Sequence, residues 1–119
     1  MSEPTEPAGG SPDPLSEPVF CTLLALARGK RHGYAIIQDV EEWTGGRVKL
    51  RTATLYTALR RLVDDGLVEE TAAPDPEADA RRRYYRLTPA GEEVLRAETG
   101  RLREMVGLAE ELAREVAGG

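Results

Sequence analysis

The sequence predicts a mainly α-helical chain with one small β-hairpin, in the order helix, helix, helix, hairpin, long helix. Apolar residues recur at helical spacing in three early stretches, and two short strand-like pieces, LVEET and RYYRL, follow them on either side of a Pro- and acid-rich loop. A last helical run opens at Thr88 and Pro89. This is the order of a winged helix-turn-helix with a long C-terminal helix.

Each element has its own signal. Ser16 is a suitable cap for a first helix over Glu17 to Ala27, Pro18 is tolerated in its first turn, and Arg28, Gly29 and Lys30 end it. Its apolar residues lie nearly all round, which predicts burial on more than one side, with a partner subunit supplying part of the cover. A second helix is expected from Gly33 to Trp43, since Ile36, Ile37, Val40 and Trp43 share one face and Gln38, Asp39, Glu41 and Glu42 the other. Trp43 reads as a core residue. A third helix opens at Thr52, read as its N-cap, and Leu55, Ala58, Leu59, Leu62 and Val63 form an unbroken apolar stripe before Asp65 and Gly66 close it.

The strands are expected over Leu67 to Thr71 and Arg83 to Leu87. The last helix starts at Thr88 and reaches about Val116, with Gly91 where a capping-box Glu would sit. Three regions follow: an acidic, Pro- and Gly-rich tail over 1–16, expected to be disordered, a winged helix-turn-helix over 17–88, and a C-terminal helix over 89–119.

Composition limits what the chain can do. With 119 residues it can bury one modest core. The formal net charge of -5 argues against nucleic acid only as an average. Residues 19–89 hold twelve basic against ten acidic residues, and Arg47 to Val63 contains five basic residues and no acid. Local charge is what a phosphate meets. Cys21 is the only cysteine, in the apolar run VFCTLLALA, and reads as a small buried hydrophobe. No stretch is apolar for the roughly 20 residues of a membrane span, and the start lacks the features of a signal peptide, so a cytoplasmic location is expected.

Enzyme chemistry finds no constellation here. One His and one Cys supply neither a catalytic set nor a zinc site, no Gly-rich phosphate loop is present, and neither cofactor nor metal is expected. His32, beside Lys30 and Arg31, suits a structural role or a phosphate contact.

The third helix carries the functional reading. The second helix of a helix-turn-helix lies in the major groove and touches base edges near its N-terminus. Thr52, Thr54 and Thr57 offer hydroxyls to bases or phosphates, Tyr56 reaches a phosphate or packs on a sugar, and Arg60 and Arg61 are placed for phosphates further along. Arg81, Arg82 and Arg83, at the hairpin, are expected along a neighbouring groove or backbone. On the last helix, Leu95, Leu102, Ala109 and Val116 recur every seven residues with Met105 and Leu112 between them, and Glu98 is the exception. This coiled-coil-like seam predicts a homodimer, hence an operator of double-stranded DNA with inverted half-sites.

These stretches resemble the PadR family of winged-helix repressors. LLALARGKRHGYAIIQDVEE is similar to the family's first two helices with their His-Gly-Tyr junction, TLYTALRRLVDDGLVEE to its recognition helix and first wing strand, and RRRYYRLTPAGEEVL to its second wing strand and last helix. The resemblance implies a bacterial, homodimeric, sequence-specific repressor that is released by an effector no residue identifies. The family commonly places Gly and Pro around the Thr-Leu-Tyr triplet where this chain has Ala53 and Thr57, and Gly-Arg-Pro where it has Ala-Asp-Ala-Arg-Arg. Some short members hold flat aromatic drugs with a Trp on the last helix, a residue this chain lacks there. A sensor of aromatic small molecules and a winged helix used only for protein contact are the alternative readings.

Overall fold

The computed structural model describes residues 14–75, 77 and 82–118. Helix α1 spans Glu17–Ala27, and the Ser16 hydroxyl accepts from the Val19 N–H at 3.3 Å, filling one of the first-turn donors. The acidic tail over 1–13 lies outside the described residues. Residues 14–16 differ from the tail expectation: Leu15 packs against the core and its N–H donates to Glu98 at 3.3 Å, so the chain is tied down before α1 begins.

A two-residue strand, β1 (Arg31–His32), precedes α2 (Gly33–Trp43). His32 ends the strand and caps the helix, its Nδ1 accepting from the Ala35 N–H at 3.1 Å. The turn after α2 is locked by Thr44, whose hydroxyl donates to Val40 O at 2.9 Å and accepts from Val48 N at 3.0 Å. Gly45 and Gly46 there take φ of 62° and 82°, a region closed to most side chains. Helix α3 spans Thr52–Asp64. Arg51, not Thr52, is its N-cap, because the Leu55 N–H already bonds to Arg51 O, and no side chain caps the helix.

Strands β2 (Val68–Thr71) and β3 (Tyr84–Leu87) form the predicted hairpin, each one residue shorter than expected at its start. The sheet has three strands in the order β1-β3-β2, all antiparallel, with Arg31 opposite Tyr85 and Glu70 opposite Tyr85 on the other side. The sequence gives no sign of β1, since two residues show no alternation. Tyr84 and Tyr85 point to opposite faces of β3 and are both buried, so this short sheet is covered on both sides. Tyr85 joins the main core, while Tyr84 packs edge-on against His32 with ring centroids 5.3 Å apart.

The core is built by Leu23 and Leu26 of α1, Ile36 and Val40 of α2, Leu55, Leu59 and Leu62 of α3, and Val68 of β2. Val63 and Trp43, both expected on apolar faces that turn inward, are 37% and 43% exposed. The Arg28 guanidinium sits 5.8 Å from the Trp43 ring centre, so the indole is a surface partner for a cation and not part of the core.

Helix α4 spans Pro89–Gly118. The Thr88 hydroxyl accepts from the Gly91 N–H at 3.1 Å and donates to Gly66 O at 2.6 Å. Gly91 is there for packing: a Cβ on it would lie 2.0 Å from Leu67 O. Leu95 packs on the domain's own core, which takes the first residue of the expected dimer seam, and Leu102 is half-buried. From Arg103 to Gly118 every residue is exposed, including Met105, Ala109, Leu112 and Val116.

Candidate nucleic-acid interface

The apolar stripe of α3 decides which side chains are left outside. With Leu55, Leu59 and Leu62 buried in the core, Thr52, Thr54, Tyr56, Thr57, Arg60 and Arg61 are all exposed. The segment before the helix adds to this face. Val48 and Leu50 are buried in alternation with exposed Arg47, Lys49 and Arg51, so the approach to α3 is rimmed by cations. Because no side chain caps α3, the first N–H groups of the helix are not satisfied from within, and their partial positive charge adds to that of the arginines.

Between α3, the start of α2 and the wing lies a cleft of about 660 Å³. Tyr56 and Arg60 line it from α3, and Arg82 and Arg83 from the base of the hairpin. The two wing arginines are thus gathered against α3, not carried out to a separate site. Arg82 Nη1 lies 2.6 Å from His32 Nε2, and Arg83 pairs with Glu70 at 3.4 Å. Both partners of the second pair are well exposed, and such pairs hold together by little. Arg81 lies outside the described residues.

Sequence reasoning missed the part of this cleft that comes from α2. Gly33 and Tyr34, the first two residues of that helix, line it together with His32. Tyr34 is 59% exposed, a large aromatic held at a helix N-terminus beside a cluster of arginines. The His-Gly-Tyr junction carries this geometry in the sequence, but only as a family resemblance, since no periodicity marks it. Tyr85 lines the cleft too, and burial, then the nearby Glu70 carboxylate, push its phenol up, so it stays protonated.

Among the described residues no group of three or more His, Cys, Asp or Glu is placed to hold a metal ion. Cys21 is buried, and desolvation, then Glu17, raise its thiol, which disfavours the thiolate. No helix among the described residues is long and apolar enough to cross a membrane.

The arrangement has known counterparts. Residues 22–97 match the model of the transcriptional regulator PadR-like family. The chain is 43% identical over 98 residues to a transcriptional regulator of Mycobacterium tuberculosis, covering 82% of this chain and 79% of that one. It is 40% identical over 85 residues to an uncharacterized 37.1 kDa protein in a transposon of Streptomyces fradiae, covering 71% of this chain but spanning only 23% of the relative. In structure it is similar to a PadR family transcription regulator from Clostridium difficile, with a TM-score of 0.71 at 22% identity, covering 82% of this chain and 99% of the other. By sequence over most of its length, and by fold, the chain belongs to the PadR-like family of transcriptional regulators.

Proposed function

We propose that this chain is a homodimeric repressor that reads an operator with inverted half-sites through α3. The family is one of DNA-binding regulators and not of enzymes. The observation that carries the finer reading is the outward face of α3. Its hydroxyls and arginines stand on a helix whose opposite side is fixed in the core, and a cation-lined cleft joins it to the wing.

On this reading the N-terminal turn of α3 enters the major groove, where Thr52, Thr54 and Thr57 meet base edges or the nearest phosphates. Arg60, Arg61, Arg82 and Arg83 neutralise phosphates and set the register, and Tyr56 packs on the backbone beside them. The second half of α4 supplies the dimer contact. Met105, Leu108, Leu112 and Val116 are 48–83% exposed on a half-helix whose described residues are all exposed, and a two-fold partner would bury them. Bound across a promoter, such a dimer excludes polymerase, and release follows when an effector favours a form that fits the two half-sites poorly.

The test is fluorescence anisotropy with the DNA upstream of the protein's own coding region, beside sedimentation velocity at micromolar concentration. A dimer that prefers this DNA over a scrambled duplex is expected. A monomer, or equal affinity for both duplexes, refutes the proposal.

A further inference from the structure

The segment between α2 and α3 carries a row of cations of its own. It belongs to neither helix, and its burial alternates: Val48 and Leu50 are buried, while Arg47, Lys49 and Arg51 are exposed. Alternation of this kind marks an extended chain, in which every second side chain shares a side and recurs at about 6.7 Å. Arg51, at φ -83° and ψ 150°, has that geometry where the segment meets α3. Three positive groups therefore stand in file along one edge. Among the described residues none of them has a carboxylate within ion-pair distance, and the sequence has no acid from Arg47 to Val63. A file of unpaired cations complements a strand of regularly repeated anions, and one DNA strand carries a phosphate about every 3.4 Å along its axis.

The row is also held in place before anything binds it. The Thr44 hydroxyl accepts from the Val48 N–H at 3.0 Å and donates to Val40 O at 2.9 Å, so one side chain ties the segment to the last turn of α2. Backbone bonds close the turn around it, from Arg47 N–H to Thr44 O at 3.1 Å and from Gly46 N–H to Glu41 O at 2.8 Å. Val48 and Leu50 anchor the far side in the core. Cations fixed in this way lose little further freedom on meeting a phosphate backbone.

We propose that Arg47, Lys49 and Arg51 are a second DNA contact, a strip that follows phosphates of one strand beside the groove that α3 enters, and that Thr44 is the positioning residue that keeps the strip in register with α3. The inference rests on the regulator reading and adds to it three phosphate contacts besides those of Arg60, Arg61, Arg82 and Arg83. Phosphate contacts carry no sequence information directly, so the strip sets where α3 lies on the duplex and leaves the choice of bases to α3.

The test is the salt dependence of the full-length protein's affinity for the duplex upstream of its coding region, read by fluorescence anisotropy. Arg47→Gln/Lys49→Gln/Arg51→Gln is expected to make the slope of log K against log salt shallower by roughly 2.7, since each phosphate contributes about 0.9. Arg96→Gln/Arg103→Gln/Arg114→Gln removes the same charge from exposed positions on α4 and is expected to leave the slope near native. An unchanged slope in the strip variant overturns the proposal. So does an equal change in both variants, because net charge alone then accounts for it. Thr44→Val keeps every cation and is expected to weaken binding roughly tenfold, with helical circular dichroism unchanged, whereas Thr44→Ser keeps the hydroxyl and is expected to restore it. A Thr44→Val variant that melts lower but binds with native affinity overturns the positioning role. A native protein with no salt-dependent affinity for any duplex removes the regulator reading and the strip together. A native protein that binds DNA no better and no more steeply than the strip variant removes the strip alone.

Discussion

Gly33 and Tyr56 are in direct contact across the α2–α3 junction: a Cβ on Gly33 would lie 2.3 Å from the Tyr56 hydroxyl and 2.8 Å from its ring. The first residue of α2 is therefore the seat of an aromatic side chain of α3. Gly33→Ala forces that ring to turn. Tyr56 is 38% exposed and free to move outward, so stability is expected to fall by only about 1 kcal/mol in urea denaturation. DNA affinity is expected to fall more, by roughly tenfold, because Tyr56 and the cleft it lines lose their shape. Unchanged affinity would show that this cleft takes no part in binding.

Gly91 makes the opposite case, because the obstacle there is backbone. Leu67 O would lie 2.0 Å from the new Cβ, and it is held in place by accepting the Thr88 N–H at 3.1 Å. Gly91→Ala is expected to cost about 3 kcal/mol by chemical denaturation, at the upper end for overpacking.

Glu98 is 3% exposed and accepts two bonds from Arg101, at 2.6 and 2.9 Å, besides the Leu15 N–H. The Arg101 guanidinium, with the Leu15 bond, outweighs desolvation and holds the carboxyl below its ordinary range. A group depressed on folding adds stability that is present above the unfolded-state value and is lost as pH falls through the folded one. The melting temperature of Glu98→Gln is therefore expected below that of the native chain at neutral pH, with the gap closing as pH drops below the carboxylate range. A gap that stays constant with pH would contradict the assignment.

On α4, Leu112→Glu places a charge in the proposed dimer seam at a residue 48% exposed in the single chain. The fold should be untouched by circular dichroism while the dimer dissociation constant rises roughly a hundredfold in sedimentation equilibrium. An unchanged constant would move the dimer contact elsewhere.

These residues also show where the sequence was legible. The bounds of α1 and α2 follow from Ser16, Gly29 and the Ile36/Val40 spacing, because caps and periodicity are local properties. Glu98 stood out only as a break in a seven-residue repeat: Arg101 is a local partner three residues on, but the Leu15 contact, 83 residues away in the chain, and the burial itself are set by tertiary packing. For the same reason Gly91 read as a missing cap, and β1 left no trace. At the site, the outward face of α3 was readable from its stripe. The contribution of Gly33 and Tyr34 was not, because it depends on how α2 is seated against α3 and the wing.

The central claim is that the α3 face binds DNA, and the salt dependence of operator binding tests it most directly. Each neutralised phosphate contributes about -0.9 to the slope of log K against log salt. Arg60→Ala/Arg61→Ala, both at exposed positions, is expected to leave the fold intact, weaken binding across sequences alike, and make that slope shallower by roughly 1.8, two phosphates' worth. A variant with the native affinity and the native slope would contradict the account.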